Sequence, residues 1–164
     1  QVGLAKHQLS LKPGWPALVH LPARNTVRHV FNRAFILALK TGKLRLPFHR
    51  VDVPEAQDTL DWIGLNYYYR FGAAFNPLFP HSFFIRQYQP RGGIRGPESV
   101  GEIWPEGLLE HIRWLCETLD KPLYVTENGV ADPADTLRPQ HLIRSLRSVW
   151  HAINFNYPVK GYFH

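Results

Sequence analysis

The chain has 164 residues, 45% apolar and 20% charged, the balance of a folded domain with a buried core rather than of a disordered segment. Its formal net charge of +6 comes from scattered basic residues (Arg24, Arg28, Arg33, Lys40, Lys43, Arg45, Arg50, Arg138, Arg144, Arg147) rather than a dense block. No zinc-finger spacing or RNA-binding aromatic motif accompanies them, so composition argues against nucleic acid as a partner. No apolar run approaches the roughly 18 residues of a membrane span, so no membrane partner is expected. The single cysteine, Cys116, rules out an internal disulfide and fits a reducing, cytoplasmic location. Met is absent even from position 1, and the chain reads as an internal piece of a longer protein.

In chain order, Val2 to His7 predicts a short strand, and Pro13 to Pro22, rich in proline and glycine, a loop. Asn25 is placed to cap a helix whose inner face is Val27, Val30, Phe31, Ala34, Phe35 and Ala38. Gly42 ends it, with Lys40 in the last turn. Leu60 to Tyr68 is the most particular stretch: Trp62, Ile63 and Leu65 are strand material, and Gly64 permits close approach. Alternation puts Asn66 and Tyr68 on one face and Tyr67 on the other. Phe71 to Gly101 has no clear periodicity and carries Pro77, Pro80, Pro90 and Gly92-Gly93; a loop that long often lines a site.

Pro105 stands at about the first position of the next helix, with Glu106 in its first turn. Leu108, Ile112, Leu115 and Leu119 mark its inner face, and Cys116 beside them reads as a small buried hydrophobe. Pro122 suits the start of a strand, Leu123, Tyr124 and Val125 continue it, and Asn128-Gly129 bounds it. Glu127 therefore stands at its C-terminal rim, where α/β proteins bind ligands, although a Glu there can equally open a solvent loop. Val130 to Thr136 is a loop, and the last helix carries Leu142, Leu146, Val149 and Ile153 on one face with Ile143 and Trp150 beside it. Val159 to His164 begins a final strand.

Strands alternating with crossover-length helices predict an α/β protein with parallel strands and outer helices. The pattern leaves a half barrel and a doubly wound sheet both open. No glycine-rich phosphate-binding motif follows any strand, which weakens a nucleotide-dependent reading.

Three blocks, Asp61 to Tyr68, Trp104 to Leu108 and Pro122 to Gly129, occur in the order found in the family 1 glycoside hydrolases, the β-glucosidase and β-galactosidase family, which the chain resembles. They are similar to that family's sixth-strand pattern D-[FW]-[IL]-G-[LI]-N-Y-Y, its W-E-I-Y-P-E-G-L segment, and the T-E-N-G end of its seventh strand. Gly101 and Trp104 depart from the second pattern, and His141 stands where a D-x-x-R-x-x-Y-L pattern, matched by Asp135, Arg138 and Leu142, usually has Tyr. Val2 to His7 is similar to the fifth strand, with His7 near its rim, Gly42 to Phe48 to a segment between the fifth and sixth strands, and Val159 to His164 to the start of the eighth. The resemblance implies a partial TIM (β/α)8 barrel covering strands 5 to 8, with residues 1–164 as a single incomplete domain; a whole barrel takes about 250 residues.

It also implies a retaining exo-β-glycosidase that hydrolyses terminal β-linked sugars without metal or organic cofactor. Glu127 would be the nucleophile, Tyr68 would donate to it and stabilise developing charge, and Asn66 and Asn128 would shape the sugar site. Retention needs two carboxyl groups roughly 5–5.5 Å apart. The family's acid/base Glu lies in an N-E-P motif at the fourth strand, upstream of Gln1. None of Glu55, Glu98, Glu102, Glu106, Glu110 and Glu117 follows a strand with that pattern. The expected partners are a β-glycoside or oligosaccharide and the missing N-terminal half of the barrel, with oligomeric state open. The segment alone is expected to be inactive and to expose two open sheet edges. The alternative is a non-enzymatic carbohydrate-binding or pseudo-enzyme segment that retains Asn66, Tyr68 and Glu127.

Overall fold

A computed structural model describes residues 1–96 and 101–164. Its centre is a parallel sheet of β1 (Gly3–Pro13), β4 (Trp62–Phe75), β7 (Leu123–Asn128) and β8 (Val159–Tyr162), in the order β1-β4-β7-β8. Helices α1 (Ala17–Val27), α2 (Ala34–Thr41), α3 (Gly107–Leu119) and α4 (Arg138–Asn154) connect the strands. Ile63, Leu65, Tyr67, Leu123 and Val125 of the sheet meet Ile36 and Leu39 of α2, Leu108, Ile112 and Leu115 of α3, and Val149 and Ala152 of α4 in one buried core. The predicted α3 face is thus buried as a unit, and Cys116 lies in it, its thiol pushed up to about 11 by burial and then by Glu117 and Asp120. The helix itself starts at Gly107, so Pro105 precedes it.

The first segment differs from expectation. β1 runs on to Pro13, only three residues separate it from α1, and Asn25 lies inside that helix rather than at its cap. Ala23 is the one buried residue of α1, and Leu18 and Val19 are exposed, so no apolar stripe announces it. Between α1 and α2 lies a π-helical stretch, Arg28–Arg33. Its wider turn rotates the helix that follows, so that Ala34, Ile36, Ala38 and Leu39 face inward and Phe35 outward, while Val30 and Phe31, within the π turn itself, stay partly exposed. Gly42 ends α2 as anticipated, with φ 66° and its N–H donated to Ala38 O. The segment after it forms a hairpin of β2 (Lys43–Leu46) and β3 (His49–Asp52).

The stretch read as a loop from Phe71 carries strand at two places, and the rest of its described residues are turns and irregular chain. β4 continues to Phe75 and pairs antiparallel with β5 (Ile85–Tyr88) and β6 (Glu102–Ile103). Gly72 is required there, because a Cβ would overlap the Tyr88 ring. Glu98 lies outside the described residues.

In α4 the predicted face is also misplaced. Of its four members only Val149 is buried, and the inward residues are His141, Ser145, Ser148 and Ala152. Small side chains let α4 come close to the start of α3, where Ser148 Oγ donates to Pro105 O at 3.1 Å. Ile143 and Trp150 are 68% and 60% exposed, so the apolar stripe lies on an uncovered flank.

Candidate active site

The candidate site lies at the C-terminal ends of β4 and β7, and a β-bulge builds it. Leu65 pairs with Val125, but Asn66 pairs with Glu127, so Thr126 is an extra residue on β7. Plain alternation would put Glu127 on the helix-facing side with Val125. The inserted residue resets the pleat, placing Glu127 in the row of Asn66 and Asn128 in the buried row of Tyr67. Gly64 makes room for the bulge: a Cβ there would come 2.9 Å from Thr126 Oγ1 and 3.0 Å from Ala5 Cα. Thr126 Oγ1 then donates to Asn66 Oδ1 at 2.6 Å, joining the two strands at the rim.

Tyr68, one step beyond Asn66 on the same face, donates its hydroxyl to Glu127 Oε2 at 2.8 Å. Its phenol is pushed up to about 12, first by burial and then by the hydrogen bond to Glu127 and that group's charge. Tyr68 therefore stays protonated, a donor, throughout the neutral range. The structure thus brings together Asn66, Tyr68 and Glu127.

Asn128 is placed differently. It is 3% exposed, and its amide is occupied on both sides: Nδ2 donates to Tyr67 O at 2.6 Å and Oδ1 accepts from Tyr162 Oη at 2.8 Å. It ties β7 to β4 and β8 behind the carboxylate.

Beneath the rim is a polar layer that alternation alone does not reveal. Tyr67, wholly buried, donates its hydroxyl proton to Trp104 O at 2.7 Å and accepts from Ser10 Oγ at 3.0 Å, and Ser10 Oγ lies 3.2 Å from His111 Nε2. Burial raises the Tyr67 phenol and pushes His111 down to about 3, so both are neutral. Gly107 opens α3 directly over this layer, where a Cβ would strike the Tyr67 hydroxyl and Ser10 Oγ. This gives the glycine of the Trp104 to Leu108 block a packing reason.

Several of the remaining carboxylates are engaged elsewhere. Glu102, buried, takes two hydrogen bonds from Arg70 at 2.6 and 2.9 Å, and Arg70 lies over the Trp104 ring, 3.5 Å from its centroid. Glu106 pairs with Arg144, and Glu117 accepts from Tyr157. Glu110 is on α3 and Glu55 in a short 3₁₀ turn, so neither follows a parallel strand. Among the described residues no group of three or more His, Cys, Asp or Glu could hold a metal ion, and no helix is long and apolar enough to cross a membrane.

Comparison with known proteins bears on the family and the fold. A β-galactosidase of Pyrococcus woesei is 35% identical over 147 residues, covering 79% of this chain and 28% of its own length. β-Glucosidase A of Thermotoga maritima is 31% identical over 139 residues, covering 77% of this chain and 30% of its own length. The solved β-glycosidase from Pyrococcus horikoshii superposes with a TM-score of 0.87 at 28% identity, over 98% of this chain and 37% of that one. The chain thus spans 28% to 30% of the length of these curated relatives. Its parallel sheet and outer helices match part of a (β/α) barrel catalytic domain. Residues 23–164 match the profile of Glycosyl hydrolase family 1, and the chain belongs to that family.

Proposed function

We propose that the protein carrying this chain is a retaining β-glycosidase acting on terminal β-linked sugars, with Glu127 as nucleophile. The observation that carries the reading is the hydrogen bond from Tyr68 Oη to Glu127 Oε2 at 2.8 Å, on the strand-end face that also holds Asn66. A nucleophilic carboxylate must be ionised and aimed, and a phenol that remains protonated supplies both a donor and a fixed direction. In the first step Glu127 Oε1 or Oε2 attacks the anomeric carbon while a second carboxylic acid protonates the departing oxygen. Water then hydrolyses the glycosyl ester with that second group acting as base. The second carboxyl group belongs to the fourth barrel strand, outside this chain, and β1, β4, β7 and β8 correspond in this reading to strands 5 to 8. Asn66 accepts from Thr126 through Oδ1, which leaves its NH2 as the donor toward a sugar hydroxyl. Asn128 positions β7 rather than touching substrate.

Residues 1–164 are then one incomplete domain, and by themselves they do not hydrolyse glycosides. The test is the longer polypeptide carrying this segment, assayed on an aryl β-glucoside. Glu127→Gln should lower kcat by about 10⁴-fold or more, as loss of a covalent nucleophile does. Turnover retained within tenfold would overturn the assignment. No hydrolysis by the unaltered polypeptide, with sugar binding intact, would instead favour a carbohydrate-binding role.

A further inference from the structure

His7 lies beside the site and has no part in the chemistry above. β1 pairs with β4 so that His7 is opposite Asn66, and Asn66 is opposite Glu127, which makes His7, Asn66 and Glu127 one row across three strands. The His7 ring meets the Tyr68 ring edge-on, with centroids 5.8 Å apart and planes at 72°. Phe31 holds the His7 ring as well, at 5.9 Å and 82°. Three rings therefore run in series from the π-helical stretch to the tyrosine that binds the carboxylate.

The same stretch is fastened to β1 at this point. Asn32, 2% exposed, accepts the Leu9 N–H at 3.0 Å and donates to Leu9 O at 2.8 Å, while Gln8 Nε2 donates to Asn32 O at 3.3 Å. Where the β1–β4 register shifts, Leu9 faces two β4 residues, Tyr68 and Tyr69, and its backbone bonds to Asn32 instead. The π turn has a local purpose here: it sets Phe31 against His7 while Asn32 takes the strand. His7 Nε2 is enclosed and makes no hydrogen bond, so packing of the ring is what the site uses. Burial first, then Lys6, lowers its pKa against the opposing pull of Glu127, which keeps a competing cation away from the carboxylate.

We propose that His7, backed by Phe31, is a positioning residue whose ring braces Tyr68 so that its hydroxyl is aimed at Glu127. The inference rests on the reading of Tyr68 and Glu127 given above, but its test needs no hydrolysis. With [13Cζ]tyrosine in the longer polypeptide that carries this segment, Glu127→Gln should move the Tyr68 13Cζ resonance, reporting the hydrogen bond. In a His7→Ala background that response should fall to half or less, and in His7→Phe, which restores a ring without a charge or a donor, it should return to the unaltered size. An undiminished response in His7→Ala, or no recovery in His7→Phe, overturns the brace. If His7→Ala does not fold, judged by its amide spectrum, His7→Leu supplies volume without a ring and is scored the same way. A Tyr68 resonance indifferent to Glu127→Gln in the unaltered chain would remove the contact on which both readings stand. Loss of hydrolysis unrelated to Glu127 would remove only the proposed function.

Discussion

At the scale of single residues, the carboxylates divide by what they meet. Glu127 meets one phenol at an open rim, whereas Glu102 is buried against both nitrogens of an arginine that is itself packed on Trp104. The second arrangement is structural. Removing one partner of a buried pair leaves the other charge unpaired, so Glu102→Ala should cost about 3 kcal/mol or more in urea unfolding. Glu127→Gln should change stability by less than about 1 kcal/mol, because its site is solvated. Tyr68→Phe removes a donor to the nucleophile and should lower kcat in the longer polypeptide by about 10²-fold, with KM changing far less. His111 supplies a pH prediction. Burial, and then His7, Arg28 and Arg33, hold it near 3 in the folded chain, below the ordinary value of 6.5. The unfolded chain thus binds the proton first, so this contribution to stability is complete above about pH 6.5 and is lost as pH falls toward 3. His111→Gln should flatten the decline of the urea midpoint between pH 6.5 and 5 by up to one proton's worth, about 1.4 kcal/mol per pH unit.

At the scale of elements, legibility followed how regular the burial is. Leu108, Ile112, Leu115 and Leu119 are readable because α3 packs a straight, apolar face on the sheet. In α2 the same method misses Ile36 and Leu39, because a π turn upstream shifts the phase that periodicity assumes to be constant. In α4 it selects Leu146 and Ile153, which are exposed, over Ser145 and Ser148, which are buried for their small size. Asn66, Tyr68 and Glu127 were legible through family motifs, but the bulge at Thr126 that turns Glu127 to their face is a two-strand property that one strand's residues do not display. Tyr67, Ser10 and His111 likewise meet only in three dimensions. Gly107 shows the cost of disturbing that meeting. Gly107→Ala should destabilise by about 1–3 kcal/mol, as overpacking does, and thermal melts should record it even though alanine is the better helix former.

At the scale of the whole molecule, the sheet begins at β1 and ends at β8, and neither outer edge has a strand partner among the described residues. Beside β8, α4 also presents Ile143, Leu146, Trp150 and Ile153 outward. Open edges and an apolar flank favour association, so residues 1–164 should elute and scatter light as more than a 19.0 kDa monomer. A monodisperse, stable monomer would contradict the incomplete-domain reading. The central claim is that Glu127 bonds covalently to the sugar, and trapping measures it most directly. The longer polypeptide is treated with a 2-deoxy-2-fluoro-β-glycoside bearing a good leaving group, digested, and sequenced by mass spectrometry. The account predicts one added fluorosugar, carried on Glu127 within Leu123 to Gly129; a label on any other residue, in an enzyme that the reagent inactivates, would contradict it.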